Sequence, residues 1–227
     1  MNYGTPYSNQ GLFVAQASPL ARIAFIRQVY SLLCGSLFVT VLSGFICTQE
    51  SVLPIISGLT PLLWIGEIAC IIILSFSRRV TGLNLLIFAL FAALTGAGLG
   101  PLLLALSIKS PGLPMAAATL TLGVFSGLSL YALTSRKDFS YLGGMLFAGL
   151  IGLIIVGLLL MFFNVPFLSS LYSLAGVLIF SGFVLYDTSQ IMHRLQPNQA
   201  IIGAIELYLD FLNLFLFILR LFSNRDD

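Results

Sequence analysis

Runs of about 20 or more apolar residues recur along this chain, separated by short polar breaks. The pattern predicts seven helical spans. They cover Ile26–Ile46, Ile55–Phe76, Leu83–Leu106, Leu113–Leu133, Leu142–Phe163, Phe167–Ile191 and Ala200–Phe222. Turn or charge signals mark the breaks: Thr48-Gln49-Glu50-Ser51, Ser77-Arg78-Arg79, Lys109-Ser110-Pro111-Gly112, Ser135-Arg136-Lys137-Asp138, Asn164-Val165-Pro166 and Gln196-Pro197-Asn198-Gln199. None of these loops is long enough to hold a soluble domain. The expected organisation is one all-α membrane domain over residues 18–223, a polar amino-terminal segment over 1–17 expected to be mobile, and a short tail over 224–227.

Composition strengthens this picture. Apolar residues make up 59% of the chain and charged residues only 8%, against roughly one quarter charged in a soluble domain. The net charge of +2 and the lack of any basic patch interleaved with aromatics argue against nucleic acid. The three cysteines, Cys34, Cys47 and Cys70, lie in or beside apolar segments and read as packing residues. Arg22 and Arg27 precede an apolar run that continues to about Ile46, too long for a cleaved signal, so the first helix is expected to stay in the protein.

Basic residues set the expected orientation. Arg22, Arg27, Arg78, Arg79, Arg136, Lys137 and Arg194 fall on one side of a seven-span arrangement, whereas Lys109 stands in a loop on the other. The positive-inside rule then predicts a cytoplasmic amino terminus. Arg220 and Arg225 oppose an outside carboxyl terminus, so a re-entrant last segment, interrupted by Glu206 and Asp210, is the alternative to a full span. Small residues crowd several helices. Gly96 with Gly100, and Gly123 with Gly127, have the Gly-xxx-Gly spacing that lets helix backbones approach closely. Pro101 is expected to kink the third helix. The cluster before it lacks the strand and Lys-Ser/Thr context of a phosphate loop.

Asp187 and Asp210 carry the candidate chemistry. Asp187 lies eleven residues before Asn198, and Asp210 eleven after Gln199. If the flanking helices run antiparallel, both carboxyls reach the same depth and face one another. A carboxylate near the bilayer centre costs about 2.5–3.5 kcal/mol on insertion scales, so a facing pair suggests a proton or cation site. Two carboxylates a few ångströms apart in a low-dielectric site cannot easily both ionise, so they are expected to share a proton. They also form a hard-oxygen site of the kind Ca²⁺ accepts. Glu206, Asp210 and Asn213, at i, i+4 and i+7, make a polar stripe on one face of the last helix; Asp187 and Gln190 share a face of the sixth. Glu67 lies near the middle of the second helix, and Arg78, eleven residues on, projects from the same face about 16 Å away along the axis. The bland reading of each group is a polar clamp between helices, and for Arg78 and Arg79 a snorkelling, topology-setting pair.

Leu207-Tyr208-Leu209-Asp210-Phe211-Leu212-Asn213-Leu214-Phe215 resembles the last-helix signature of the transmembrane Bax inhibitor motif family, the Bax inhibitor-1/YccA-like membrane proteins. Leu185-Tyr186-Asp187-Thr188 resembles its sixth-helix counterpart, and Ser135-Arg136-Lys137-Asp138-Phe139-Ser140-Tyr141-Leu142-Gly143 is similar to its basic loop between helices four and five. Glu67 and Arg78-Arg79 match the second helix and its end. The resemblance runs from about Ser18 to Phe222. It implies a seven-helix bundle whose last helix is central and wrapped by the other six. It also implies a pH-sensitive calcium leak governed by a di-aspartyl pair, here Asp187 and Asp210, with Arg78 as a latch that holds the closed state by contact with the first aspartate. No tightly bound cofactor is implied; Ca²⁺ would be the transported ion. The family's eukaryotic members act at organelle membranes in calcium homeostasis and suppression of cell death, and some bacterial members are linked to control of a membrane protease. The chain departs from some members in lacking a lysine-rich tail, and Gln190 stands one place later than the family's glutamine, with Ser189 between. The short leader and compact loops point to a bacterial type, expected in the cytoplasmic (inner) membrane.

Other readings make distinct demands on the residues. An intramembrane aspartyl protease would use two membrane aspartates, but Tyr208-Leu209 precede Asp210 where such an enzyme needs a Gly-x-Gly-Asp element. A serine triad has no nucleophile elbow, and His193 is the single histidine, expected at a helix end. The chain is therefore expected not to be an enzyme. A proton-coupled transporter would ordinarily show internal repeats and interrupted helices. A non-transporting protein that binds membrane proteases or cell-death factors would use the same aspartates as structural glue.

Overall fold

The computed structural model describes residues 13–76, 81–135, 137–163 and 165–224. Seven long helices account for nearly all of them: α1 (Pro19–Cys47), α2 (Leu53–Phe76), α3 (Thr81–Lys109), α4 (Leu113–Ser135), α5 (Gly143–Phe162), α6 (Pro166–His193) and α7 (Ala200–Ser223). Each is long and apolar enough to cross a membrane. The fold is thus the expected all-helical seven-span bundle, and the protein is a multi-pass membrane protein.

Local chemistry sets the helix ends. Ser18 caps α1, its Oγ accepting from Ala21 N at 3.3 Å, and Pro19 takes the first helical position, where no amide hydrogen is needed. That cap starts α1 seven residues before the expected Ile26, because Arg22 and Arg27 continue the helix beyond its apolar run. Pro166 opens α6 in the same way. Between α3 and α4, Gly112 adopts φ 86°, which a residue with a Cβ rarely adopts, and the chain reverses there. Helix α3 continues through Pro101 as one element. Helix α7 is a continuous helix of 24 residues, about 36 Å long at the usual rise, which exceeds a hydrocarbon core of about 30 Å. Its length fits a full span and not a re-entrant segment.

Helix α7 is the centre of the bundle. Of its span 56% is buried, against 6% for α2 and 11% for α5. It packs on α1, α3, α4 and α6. The last helix is central as expected; α1, α3, α4 and α6 make the inner shell around it, and α2 and α5 lie mainly against α3 and α6. Aromatic rings fill the seams. Tyr208 stands edge-on to Phe88 and Phe91, with ring centroids 5.5 and 5.7 Å away, joining α7 to α3. Phe211 meets Phe125 of α4 at 5.4 Å.

The α1–α3 contact is made by missing side chains. A Cβ on Gly96 would overlap the backbone carbonyl of Thr40, and one on Gly100 would stand 2.6 Å from the carbonyl oxygen of Gly44. That closeness lets the Ser43 hydroxyl donate to Ala93 O at 2.7 Å and the Thr40 hydroxyl to Ala92 O at 3.1 Å. The Gly96/Gly100 spacing is therefore a packing motif. Gly123 and Gly127 are different, since a Cβ on either meets nothing within 4 Å. The Gly96→Ala protein is expected to lose about 1–3 kcal/mol of stability through overpacking, while Gly123→Ala changes it by less than about 0.5 kcal/mol. Thermal unfolding of the two purified variants in one detergent checks the contrast.

Candidate functional site

Residues Leu195–Gln199 reverse the chain between α6 and α7. Gln196 N donates to the side-chain Oε1 of Gln199 at 2.8 Å, and Gln199 N returns a bond to Gln196 O at 2.9 Å. The two helices then run back along each other, and the carboxyls of Asp187 and Asp210 come close enough to act on each other's charge. Asp210 is only 4% exposed, whereas Asp187 is partly buried. The Oδ2 of Asp210 is buried and has no hydrogen-bond partner among the described residues. A buried acceptor left in that state costs about 1–3 kcal/mol. The arrangement can hold a shared proton.

Next to Asp187 in sequence, Thr188 joins a hydroxyl cluster with α4 and α1. Thr188 and Ser129 approach at 3.3 Å between their oxygens, and the Tyr30 hydroxyl of α1 lies beside both. One residue on, Ser189 ties α6 to the loop between α4 and α5: its Oγ accepts from Phe139 N at 2.9 Å. Asp138 of that loop accepts from Ser140 N at 2.9 Å, and this bond holds its carboxyl below the usual value. His193 closes α6 as expected, its Nδ1 2.9 Å from Ser189 O. Gln190 donates to the Tyr186 hydroxyl at 2.6 Å within its own helix.

The polar stripe of α7 serves two places. Glu206 lies close enough to Asp210 to act on its charge. Asn213 instead faces a cleft of about 620 Å³ between α2, α3 and α7, where it and Glu67 are among the lining residues together with Thr60, Trp64 and Thr95. Asn213 Nδ2 donates to Leu209 O at 2.8 Å. Glu67 reaches the Thr95 hydroxyl, Thr95 neighbours the Tyr208 hydroxyl, and Tyr208 meets Thr40 at 2.6 Å. A line of hydroxyls thus runs from the cleft into the core. Thr40, Thr95 and Tyr208, like Tyr30, Ser129 and Thr188, were not singled out for these roles in the sequence. Hydroxyls are common in apolar helices, where each can bond its own preceding turn. Only the partner helices distinguish these six. The signal nearest to hand was position: Tyr208 and Thr188 lie within two residues of the aspartates.

Arg78 and Arg79 lie outside the described residues. As candidate metal ligands, Asp187 and Asp210 supply two carboxyls, and among the described residues no three Asp, Glu, His or Cys side chains converge on one point. The three cysteines are free; Cys47 and Cys70 are buried.

Comparison with known proteins gives a consistent set of relatives. The family model described as inhibitor of apoptosis-promoting Bax1 matches residues 22–227. Protein lifeguard 4 of Mus musculus is 35% identical over 216 residues, covering 93% of this chain and 90% of its own. Bax inhibitor 1 of Schizosaccharomyces pombe is 34% identical over 230 residues, covering 94% and 82%. Inner membrane protein YbhL of Escherichia coli K12 is 32% identical over 173 residues, covering 71% and 73%.

The Tyr208–Thr40 contact is expected to act as a coupled pair. Tyr208→Phe and Thr40→Val each cost about 0.5–1.5 kcal/mol, and the double variant costs less than their sum by at least about 0.5 kcal/mol. A double-mutant cycle of unfolding midpoints reads this coupling directly.

Proposed function

The chain belongs to the Bax inhibitor family of membrane proteins, and from that premise we propose that it is a pH-sensitive cation leak, with Ca²⁺ as the conducted ion. The observation that carries the reading is the meeting of Asp187 and Asp210 as neighbours inside an apolar bundle, one of them almost fully buried. Two carboxyls in that setting bind a proton in competition with a cation. With a proton shared, the pair ties α6 to α7; with both ionised, repulsion separates them. Helix position then follows proton occupancy, and the passage of an ion follows helix position. The ion keeps part of its water and passes from carboxyl to carboxyl, so no resident metal is required. Glu206 beside Asp210 and Glu67 with Asn213 in the lateral cleft offer further oxygen ligands. Arg78 is assigned the latch on Asp187 by family resemblance. No catalytic step is assigned.

The membrane proposed is the bacterial inner membrane, by analogy with YbhL, whose name places that relative there. The amino terminus is proposed to be cytoplasmic on the distribution of Arg22, Arg27, Lys137 and Arg194. A second reading rests on the names of relatives such as Bax inhibitor 1: a non-transporting membrane protein that binds a protease or cell-death factor, with the aspartates holding α6 and α7 together.

Ca²⁺ influx into proteoliposomes across about pH 5–8 separates these readings, since a shared proton titrates over such a range. Wild-type protein is expected to give a pH-dependent influx, and Asp187→Asn and Asp210→Asn to flatten its pH profile. Folded protein that gives no influx above empty vesicles at any pH sends the assignment to the second reading. For orientation, alkaline phosphatase fused after Asp227 is expected to be active, because an odd number of spans carries the carboxyl terminus across; an inactive fusion with full expression rejects seven complete spans with a cytoplasmic amino terminus.

A further inference from the structure

The segment before α1 is held against the bundle. Residues Val14–Gln16 form one 3-10 turn, and Val14 is fully buried in the continuous hydrophobic core. Its amide donates to Leu195 O at 2.9 Å, at the start of the α6–α7 turn. The next residue is held from the other side, where the Arg22 guanidinium donates to Ala15 O at 2.5 Å. The turn therefore touches α6 and α1 together, crossing between the helix that carries Asp187 and the one that carries Tyr30. Ile191 is fully buried at this end of α6, one turn from Asp187 and about 6 Å from it along the axis. The Nε of Arg22 is buried without a hydrogen-bond partner among the described residues, so this anchor is held by one end of the guanidinium.

We propose that Phe13–Ala17 is a strap that closes the amino-terminal-side mouth of the α6–α7 site, with Val14 as its plug and Leu195 O and Arg22 as its two fastenings. Among the described residues, the strap is held to the helices by one fully buried side chain and two hydrogen bonds, on a segment outside any long helix. Such a contact opens locally without unfolding the bundle. When it lifts, Ile191 becomes accessible from that side and the route toward Asp187 is open to water and ions. The strap is thus an autoinhibitory contact on the site, and its effect on flux rests on the leak reading given above.

The test uses the full chain with Cys34, Cys47 and Cys70 replaced by alanine and Ile191→Cys as the sole thiol. Labelling by a membrane-impermeant maleimide is followed in reconstituted protein, together with Ca²⁺ influx. Val14→Glu, which puts a charge where the plug is buried, is expected to raise the labelling rate about tenfold. Arg22→Gln, which keeps the plug and weakens one fastening, is expected to raise it a few-fold and decides the matter if Val14→Glu does not fold. Unchanged labelling in folded Arg22→Gln and Val14→Glu proteins overturns the strap. Faster labelling with increased influx supports both the strap and the leak, whereas faster labelling with no influx in any variant keeps the strap and removes the leak.

Discussion

The rest of this structure depends on the cost of placing polar groups in hydrocarbon. Helix α7 carries Glu206, Asp210 and Asn213 on one face and Tyr208 on the opposite one within two turns, so turning either of these faces to lipid would expose a polar group. Burial inside the bundle is the solution the chain adopts, and it makes α7 the axis on which α1, α3, α4 and α6 pack. Helices α2 and α5, much poorer in such groups, are left at the outside, where Ile65, Ile68, Leu158 and Met161 can face lipid. The order of the layers follows from the order of polar content.

Asp210 and Tyr208 of α7 meet groups on other helices, and Asn213 turns to a shared cleft. Asp210 meets Asp187 of α6, Tyr208 meets Thr40 of α1 through its hydroxyl and Phe88 of α3 through its ring, and Asn213 turns to the cleft shared with Glu67 of α2. These contacts do more than hold the bundle. Under the proposed leak reading, losing the last shared proton turns the Asp187–Asp210 contact between α6 and α7 from attraction to repulsion. The Tyr208–Thr40 contact has no such dependence.

Close backbone contact complements this. Gly44, Gly96 and Gly100 bring α1 and α3 together so tightly that hydroxyls cross directly to carbonyls of the neighbouring helix. That pair meets α7 through Thr40 and the rings of Phe88 and Phe91. The α6 side is tied differently, through the hairpin turn and through Ser189 to the loop before α5.

Much of this was legible before any fold was known. Seven spans follow from apolar runs, because only a helix satisfies its own backbone in hydrocarbon; the facing aspartates follow from equal spacing about Gln196–Gln199, because an antiparallel hairpin returns equal distances to equal depth. The Gly96/Gly100 contact was legible as a spacing, but the identical spacing at Gly123/Gly127 was silent about its own emptiness. What the linear order could not carry is which helix lies against which. Asn213 reads as one stripe with Asp210, yet the two serve different neighbours, because a stripe one residue wide spans an angle that two partner helices divide. Thr40, Thr95 and Ser129 look like ordinary hydroxyls until their opposite helices are in place, and Val14 looks like part of a polar leader until it is seen in the core. The sequence by itself determined the elements, the depth of the ionisable groups and the need to bury them, since those depend on each helix alone. Only the tertiary structure decided the pairings, the inner and outer shells and the closure at the amino-terminal end, since those depend on contacts between residues far apart in the chain.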